Sequence, residues 1–246
     1  MSEQKIALVT GANRGIGLET VRQLAQQGIK VLLAARSLEK ATEAAEKLKT
    51  ENFDIEPILL DVDDAKTHES AAKEIEGKFG KLDILINNAA ISIDEYENDA
   101  PIQASKTSPE VFRKTFDTNF FNTIAVTQTL LPLIEKSDAG RIVFVSSGLG
   151  SLTWHTDPNS PIYNFKVPAY DISKTAINGY AVHLAHELKG TPIKVNTLHP
   201  GSVVTDMNPN GEITVEEGAK TSVDLATLAA DGYTGKFIHL GQELPW

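Results

Sequence analysis

The chain has 246 residues, of which 41% are hydrophobic and 23% charged, a mix typical of globular proteins that excludes fibrous and wholly disordered forms. It contains no cysteine, which excludes a disulfide scaffold, a cysteine-ligated zinc site and a thiol nucleophile. The net charge of −10 argues against a broad surface for nucleic acid or anionic membranes. Because no apolar run is long enough to span a bilayer and no signal peptide is evident, we predict a cytoplasmic protein.

Short apolar runs of strand length alternate along the chain with segments of helical period. The predicted strands are 6–9, 31–35, 55–60, 82–86, 141–145, 193–198 and 236–240. The predicted helices are 18–27, 38–49, 67–79, 111–134, 170–188 and a last one within 215–229.

Nearly continuous apolar strands indicate a sheet that is buried on both faces, and their alternation with helices indicates parallel strands with right-handed crossovers. We therefore predict an α/β fold: a single doubly wound domain over residues 1–246, with about seven parallel strands and helices on both faces. The irregular stretches 91–108, 148–168 and 202–212 each follow a strand. They are expected to line the ligand crevice beyond the carboxyl ends of the strands.

A glycine-rich loop, Thr-Gly-Ala-Asn-Arg-Gly-Ile-Gly at 10–17, follows the first strand and opens the first helix. Its glycines permit a tight turn and let backbone N–H groups approach a pyrophosphate, and the helix N-terminus adds a positive dipole. An ordinary strand-to-helix turn is the alternative. We predict dinucleotide binding here, through Gly11, Asn13, Arg14, Gly15, Ile16 and Gly17.

The residues about 20 positions further on indicate which dinucleotide binds. NAD-binding proteins place an Asp or Glu there to hold the ribose 2′-hydroxyl, but segment 34–37 reads Ala-Ala-Arg-Ser and no carboxylate precedes Glu39. Arg36, together with Arg14, suits a 2′-phosphate through charge-assisted hydrogen bonds. The sequence therefore favours NADP(H), with two solvated surface arginines as the alternative. Asp61 and Val62 follow the third strand and either lie near the adenine ring or form a capped turn.

Tyr170 and Lys174 are four residues apart and therefore lie on one helix face. A free tyrosine has a pKa of about 10, and a nearby ammonium group favours the phenolate and lowers that pKa. Lowering it to about 7 requires roughly 4 kcal/mol, which we expect Lys174 and an oxidised nicotinamide to supply together. Ser146 and Ser147 end the fifth predicted strand, where a hydroxyl can donate to a carbonyl oxygen that develops negative charge.

Taken in order, the glycine loop, Asn-Asn-Ala at 87–89, Asn119, Ser147, Tyr-x-x-x-Lys at 170–174 and Pro-Gly at 200–201 resemble the motifs of the short-chain dehydrogenase/reductase family. The chain is similar to the compact branch of that family, a single Rossmann domain, and most of all to carbonyl reductases. The similarity extends from Lys5 to Trp246.

The resemblance implies a role for each matching residue. Tyr170 donates the proton in reduction, Ser147 orients and polarises the carbonyl, Lys174 lowers the pKa of Tyr170 and holds the nicotinamide ribose, and Asn119 holds a water that relays protons to Lys174. The resemblance also implies cofactor contacts from Asp61, Val62, Asn88, Ala89, Pro200, Gly201, Val203 and Thr205.

Two departures from the family pattern stand out. Ala90 occupies a position where glycine is usual, so the cofactor cleft has to accommodate a methyl group. The segment 148–168 is longer than in many family members, and it is predicted either to form a substrate wall or lid, or to be packed down by its own aromatic residues.

These observations predict an NADPH-dependent reductase of a small-molecule ketone or aldehyde, with no nucleic-acid or membrane partner. An NAD-dependent alcohol dehydrogenase and a non-catalytic NADP(H)-binding sensor are the alternatives, and both a monomer and a homo-oligomer remain open. His183 and His186 lack a third ligand pattern, so no metal site is predicted. The acidic residues Asp94, Glu95, Glu97 and Asp99 are predicted to form a solvated loop.

Overall fold

The computed structural model describes residues 4–48, 51, 53–97 and 100–246. Its strands are β1 Ile6–Val9, β2 Lys30–Ala35, β3 Ile55–Leu59, β4 Ile84–Asn87, β5 Tyr96–Glu97, β6 Ala100–Pro101, β7 Arg141–Val145, β8 Lys194–Leu198, β9 Phe237–His239 and β10 Gln242–Glu243. Its α-helices are α1 Gly15–Gln26, α2 Leu38–Lys47, α3 Ala65–Phe79, α4 Pro109–Phe116, α5 Thr123–Ile134, α6 Leu152–Thr156, α7 Pro168–Glu187 and α8 Val215–Ala226.

Eight strands form one sheet in the order β10-β9-β8-β7-β4-β1-β2-β3. Every neighbouring pair from β9 to β3 is parallel, and β10 pairs antiparallel with β9 at the edge. The predicted doubly wound α/β fold is therefore confirmed. The structure adds β10 and a separate β5–β6 hairpin inside the irregular stretch 91–108, which are too short to show in the hydrophobic pattern.

The sheet is covered on both faces because its strands are apolar on both faces. Along β1, Leu8 points into one core, whereas Ala7 and Val9 point into the other. The first core contains Ile75 of α3, Leu130 of α5 and Ile177 of α7. The second core contains Leu24 of α1, Ala44 of α2 and Val223 of α8. The six helices thus form two layers around the sheet, and the carboxyl ends of its central strands remain free to line a crevice.

The predicted helical region over 111–134 is confirmed, because these residues are helical throughout. It is divided into α4 and α5 by a π-helical turn at Asp117–Asn122, which contains Asn119. The hydroxyl of Thr123 donates to the carbonyl oxygen of Thr118, five residues earlier. Such a turn accommodates one extra residue, which rotates the side chains before it relative to those after it, and π turns occur frequently at functional sites.

Arg141, at the start of β7, is a buried cation whose hydrogen-bond partners are backbone carbonyl oxygens. Its guanidinium donates to Gly140, Pro192, Leu228 and Ala229. We expect Arg141→Ala to lower the free energy of unfolding by about 3 kcal/mol, because it leaves buried carbonyls without donors. Arg113→Ala serves as the control, since that exposed side chain lies 4.0 Å from Glu110 and should matter by less than about 0.5 kcal/mol. Urea unfolding measures both, and equal effects would contradict the assignment.

Candidate active site

A groove of about 820 Å³ lies beyond the carboxyl ends of the central strands. This volume is within the range of small-molecule and cofactor sites. The predicted residues in its lining are Gly11, Asn13, Arg14, Gly15, Ile16, Gly17, Arg36, Asp61, Val62, Asn88, Ala89, Tyr170, Lys174, Pro200 and Thr205. The predicted residues Asn119, Ser147, Gly201 and Val203 lie outside that lining.

The glycine loop leaves space that a side chain would fill. Gly11 and Gly15 have φ values of +61° and +56°, which favour glycine, and a Cβ on Gly11 would lie 2.9 Å from the Cα of Ala89. Helix α1 follows, with no side-chain capping bond from Arg14 and no acidic residue in its first turn. No acidic side chain in the first turn of α1 therefore neutralises the positive end of the helix dipole or occupies its N–H groups. This arrangement suits a bound pyrophosphate.

Asn88 holds the glycine loop against the end of β4. Its side-chain amide donates to the carbonyl oxygens of Thr10 at 2.9 Å and Gly11 at 3.2 Å. The backbone N–H groups of Asn88 and Ala89 in turn donate to the Thr10 hydroxyl. These bonds make the loop and the β4 end one structural unit.

One end of the groove is basic. Arg36 lines it and forms no ion pair with any residue that the structure describes, whereas Arg14 lies 2.6 Å from Asp206 in a pair that is exposed on both sides. Lys40 joins them and was missed by the sequence analysis. The available signal was Ser37, whose hydroxyl accepts from the Lys40 amide and so begins α2 with Lys40 in its first turn.

Asp61 forms the capped turn that was one of its two predicted roles, and its place near the adenine ring stays a prediction. Its carboxylate accepts a hydrogen bond from the Asp63 amide at 3.1 Å and so closes a turn, and the residue also lines the groove. The ring of His68 lies 2.9 Å from the Asp61 carbonyl oxygen and 3.1 Å from that of Val62, which fixes the backbone there.

Tyr170 and Lys174 line the other end of the groove. Tyr170 lies in the first turn of α7, and the side chain of Ser147, which follows β7, lies close enough to the Tyr170 hydroxyl to act on its pKa. Lys174 follows one turn later, and its ammonium donates to the Val145 carbonyl oxygen at 2.8 Å. The same nitrogen lies 5.4 Å from the centre of the Tyr170 ring. The structure thus brings together the hydroxyl, phenol and amine that the sequence singled out.

Burial dominates the titration of this cluster. Although Tyr170 is half-buried as a residue, desolvation of its hydroxyl raises the pKa to about 12, against the opposing effect of the Ser147 hydrogen bond. Desolvation likewise lowers the pKa of Lys174 to about 8. The lowering of the Tyr170 pKa predicted from the sequence is therefore not produced by the protein's own groups. A phenol with this pKa keeps its proton at neutral pH, as a proton donor must.

Asn119 makes its side-chain hydrogen bonds within the protein. Its Oδ1 accepts from the Ile91 amide at 2.8 Å, and its Nδ2 donates to the Ile91 carbonyl oxygen and to Ser173 Oγ. The side chain thus braces Ile91 against α7, and the role of Asn119 in holding a water stays a prediction.

Gly201 and Val203 do not line the groove but pack against residues next to it. Gly201 has a φ of +97°, and a Cβ there would lie 2.5 Å from Ile213 Cδ1. Val203 is buried and packs close to Gly218 at the start of α8, while Val204 lines the groove instead. The further residues of the lining that the sequence analysis did not assign to the cofactor are Leu60, Asp63, Ala90, Ile91, Thr118, Val145, Ser146, Val204, Asp206, Met207, Pro209 and Val215.

The segment 148–168 is tethered rather than loose. Ser151 Oγ donates to the Pro245 carbonyl oxygen, and the Thr153 amide donates to that of Trp246. The Trp154 ring packs edge-on against His199, with centroids 6.3 Å apart. Aromatic packing therefore contributes to this segment, while Tyr163 and Phe165 near its end are exposed.

The predicted solvated loop is wrong for Asp94. Its side chain is buried because both carboxylate oxygens accept hydrogen bonds from backbone amides at the start of α7. Glu95 and Glu97 are exposed as expected, and Asp99 lies outside the described residues.

The fold and the site together define a doubly wound α/β protein whose groove runs from a glycine-rich loop to a tyrosine and a lysine, with a serine beside the tyrosine. Residues 5–215 match the family model described as short chain dehydrogenase. The chain belongs to the short-chain dehydrogenase/reductase family and is an oxidoreductase.

Three relatives illustrate this membership. The (+)-neomenthol dehydrogenase of Arabidopsis thaliana is 35% identical, with 91% of this chain and 92% of the relative covered. The structure of salutaridine reductase from Papaver somniferum superposes with a TM-score of 0.80 at 31% identity and covers 95% and 99% of the two chains. A short chain dehydrogenase from Escherichia coli CFT073, complexed with NADPH, gives a TM-score of 0.80 at 29% identity and 95% coverage of each chain.

Among the residues described, no helix has the length and apolar character needed to cross a membrane. Within the same residues, no group of three or more His, Asp or Glu side chains is arranged to hold a metal ion.

Gly17 lies so close to Asn88 that no side chain fits between them, and we expect nucleotide binding to depend on this contact. A Cβ on Gly17 would lie 2.5 Å from Asn88 Nδ2 and 2.8 Å from the Gly11 carbonyl oxygen, so Gly17→Ala must displace the loop. We expect the Kd for NADPH to rise roughly tenfold or more, a loss of at least ~1.4 kcal/mol, in a fluorescence titration. Gly77→Ala is the matched control, because a Cβ there meets no atom within 4 Å. Unchanged affinity in Gly17→Ala would contradict the role of this contact.

Proposed function

We propose that the protein is an NADPH-dependent reductase that converts a small ketone or aldehyde into an alcohol. The observation that carries the proposal is the Tyr170 phenol, which lies beside Ser147 and one helical turn from Lys174, at the inner end of a groove whose outer end is basic. Relatives named as a reductase and as a complex with NADPH support this choice of reaction and cofactor.

The groove residues fit NADPH, which supplies the hydride when it is bound. The N–H groups of the glycine loop and of the α1 N-terminus would hold the pyrophosphate, and Arg14 and Arg36 the 2′-phosphate. Lys174 would hold the nicotinamide ribose. The remaining contacts would come from Asp61 and Val62 at the adenine, from Asn88 and Ala89 at the border of the cofactor, and from Pro200 and Thr205 at the nicotinamide. Gly201 and Val203 would support this wall from outside the lining.

Ser147 and Tyr170 interact with the carbonyl oxygen of the substrate. The hydroxyls of Ser147 and Tyr170 donate hydrogen bonds to the carbonyl oxygen, and these bonds strengthen as negative charge develops on it. Tyr170 then transfers its phenolic proton to that oxygen, which becomes the alcohol hydroxyl. The resulting phenolate is stabilised by the nearby ammonium of Lys174, while Ser147 keeps its hydrogen bond to the substrate oxygen. Because an alkoxide is more basic than a phenolate, the transfer is favourable even from a phenol whose pKa is about 12.

Replacing Tyr170 tests the proton transfer directly. We expect Tyr170→Phe to lower kcat by roughly 10²- to 10⁴-fold, the usual contribution of general acid catalysis, without weakening NADPH binding. The measurement is loss of NADPH absorbance with a panel of ketones and aldehydes. Tyr180→Phe is the matched control, because Tyr180 lies on the same helix but packs edge-on against Phe144. Full turnover in Tyr170→Phe would refute the mechanism, and NADPH binding without turnover of any carbonyl would favour the sensor alternative.

Substitutions at the basic end of the groove test whether the protein prefers NADPH to NADH. We expect the wild-type protein to bind NADPH more tightly than NADH. Arg36→Ala and Lys40→Ala should each weaken NADPH binding roughly tenfold or more, because each removes a charge-assisted hydrogen bond worth about 1.5–3 kcal/mol. NADH binding should not change, and Lys47→Ala, at the far end of α2, should affect neither cofactor. Equal affinities of the wild type for NADPH and NADH would instead favour an NAD-dependent alcohol dehydrogenase.

A further inference from the structure

The first turn of α7 contains two backbone N–H groups that the helix itself cannot satisfy. Its first residue, Pro168, has no N–H, and the Asp171 amide already donates to the Val167 carbonyl oxygen. The Val167 amide is taken by the Asp171 carboxylate at 2.8 Å. The groups that remain are the amides of Ala169 and of Tyr170 itself. Val167 precedes the helix with an apolar side chain and cannot cap them.

Asp94 supplies the missing cap from a distant part of the sequence. Its Oδ1 accepts from the Ala169 amide at 2.7 Å, and its Oδ2 accepts from the Tyr170 amide at 3.0 Å. Asp94 is only 8% exposed, so these bonds are shielded from competing water. A carboxylate that accepts backbone N–H groups at a helix N-terminus is favoured both by charge-assisted hydrogen bonding and by the helix dipole.

The backbone of Tyr170 is bonded on its carbonyl side as well. The Ser173 hydroxyl donates to the Tyr170 carbonyl oxygen at 2.7 Å and accepts from Asn119 Nδ2 at 3.1 Å. Asn119 is bonded in turn to both backbone groups of Ile91, three residues before Asp94. Residues 91–94 are therefore attached at one end to the π-helical turn and at the other to the amide of Tyr170.

We propose that Asp94 is a positioning residue that holds the backbone of Tyr170, and thereby the phenol, in register with Ser147 and with the groove wall at Ile91. The proposal rests on the proposed function, because it assigns Asp94 a part in the reaction only through Tyr170. Asp94 touches neither substrate nor cofactor in this role. Its carboxylate provides one acceptor oxygen for each of the two amides.

The test compares Asp94→Asn with a matched buried carboxylate elsewhere. Asparagine keeps the size of the side chain but places an NH₂ group opposite an N–H donor. Asp83→Asn is the matched control, because Asp83 is buried and accepts hydrogen bonds from the Ile6 amide and the Ser137 hydroxyl at the opposite edge of the sheet. Both variants should lower the melting temperature, so loss of stability alone cannot distinguish them.

We expect Asp94→Asn to lower kcat between about tenfold and 100-fold, the scale of a small misplacement of a reacting group. The KM for the carbonyl substrate and the Kd for NADPH should stay within about threefold, and Asp83→Asn should leave kcat within about twofold. Asp94→Ser keeps a single acceptor oxygen and should give an intermediate kcat. It also serves if Asp94→Asn fails to fold.

Each other outcome has a defined meaning. The proposal is overturned if kcat is unchanged in Asp94→Asn or Asp94→Ser, or if Asp83→Asn lowers kcat as much. If Tyr170→Phe is inactive while the Asp94 variants keep full turnover, the positioning role fails and the proposed function stands. Full turnover in Tyr170→Phe would remove both.

Discussion

Desolvation of the Tyr170 hydroxyl and the Lys174 ammonium is the constraint on which the rest of the site depends. Because burial penalises the charged form of each group, it raises one pKa to about 12 and lowers the other to about 8. The reacting end of the groove therefore holds a neutral phenol and an ammonium that is compensated by the Val145 carbonyl oxygen. On the proposed function, such a site would gain most when negative charge develops on a substrate oxygen, because donors held in place by the protein need little reorganisation.

The register of the sheet makes this arrangement possible. The Thr10 amide donates to the Ile86 carbonyl oxygen, which sets the glycine loop opposite the residue that follows β4. Asn88 then reaches the loop carbonyls across a gap that Gly17 leaves open. One strand further along, β7 ends beside β4 and delivers Ser147 to the same edge. The cofactor wall and the reacting groups are thus positioned by the same backbone pairing, so a change that displaces one displaces the other.

The features that the sequence predicted correctly are encoded in contiguous residues. Alternating apolar strands and helices specify a doubly wound sheet, and the four-residue spacing of Tyr170 and Lys174 places both on one helix face. What could not be predicted depends on contacts between distant segments. Asp94 is separated from Tyr170 by 76 positions and stands in a run of acidic residues that looks solvated, so nothing local indicates that its oxygens cap a helix. The π-helical turn at Asn119 is only 6 residues long and lies inside a continuous helical region, so the hydrophobic pattern does not reveal it.

The charge distribution explains how an acidic chain can present a site for a phosphate-rich cofactor. The net charge of −10 disfavours anions in general, but at physiological ionic strength exposed charges are screened beyond about 8 Å. Arg14, Arg36 and Lys40 therefore govern the outer end of the groove. The ion pair of Arg14 with Asp206 does not remove this capacity, because it is exposed on both sides and such pairs are worth little. On the proposed function, a doubly charged phosphate that engaged all three cations would outcompete a single solvated carboxylate. The stretch 202–212, which contributes Asp206, lies next to the glycine loop, because a Cβ on Gly15 would lie 3.7 Å from the side chain of Thr205. The local arrangement of charge, rather than the total, thus decides which ligand this groove accepts.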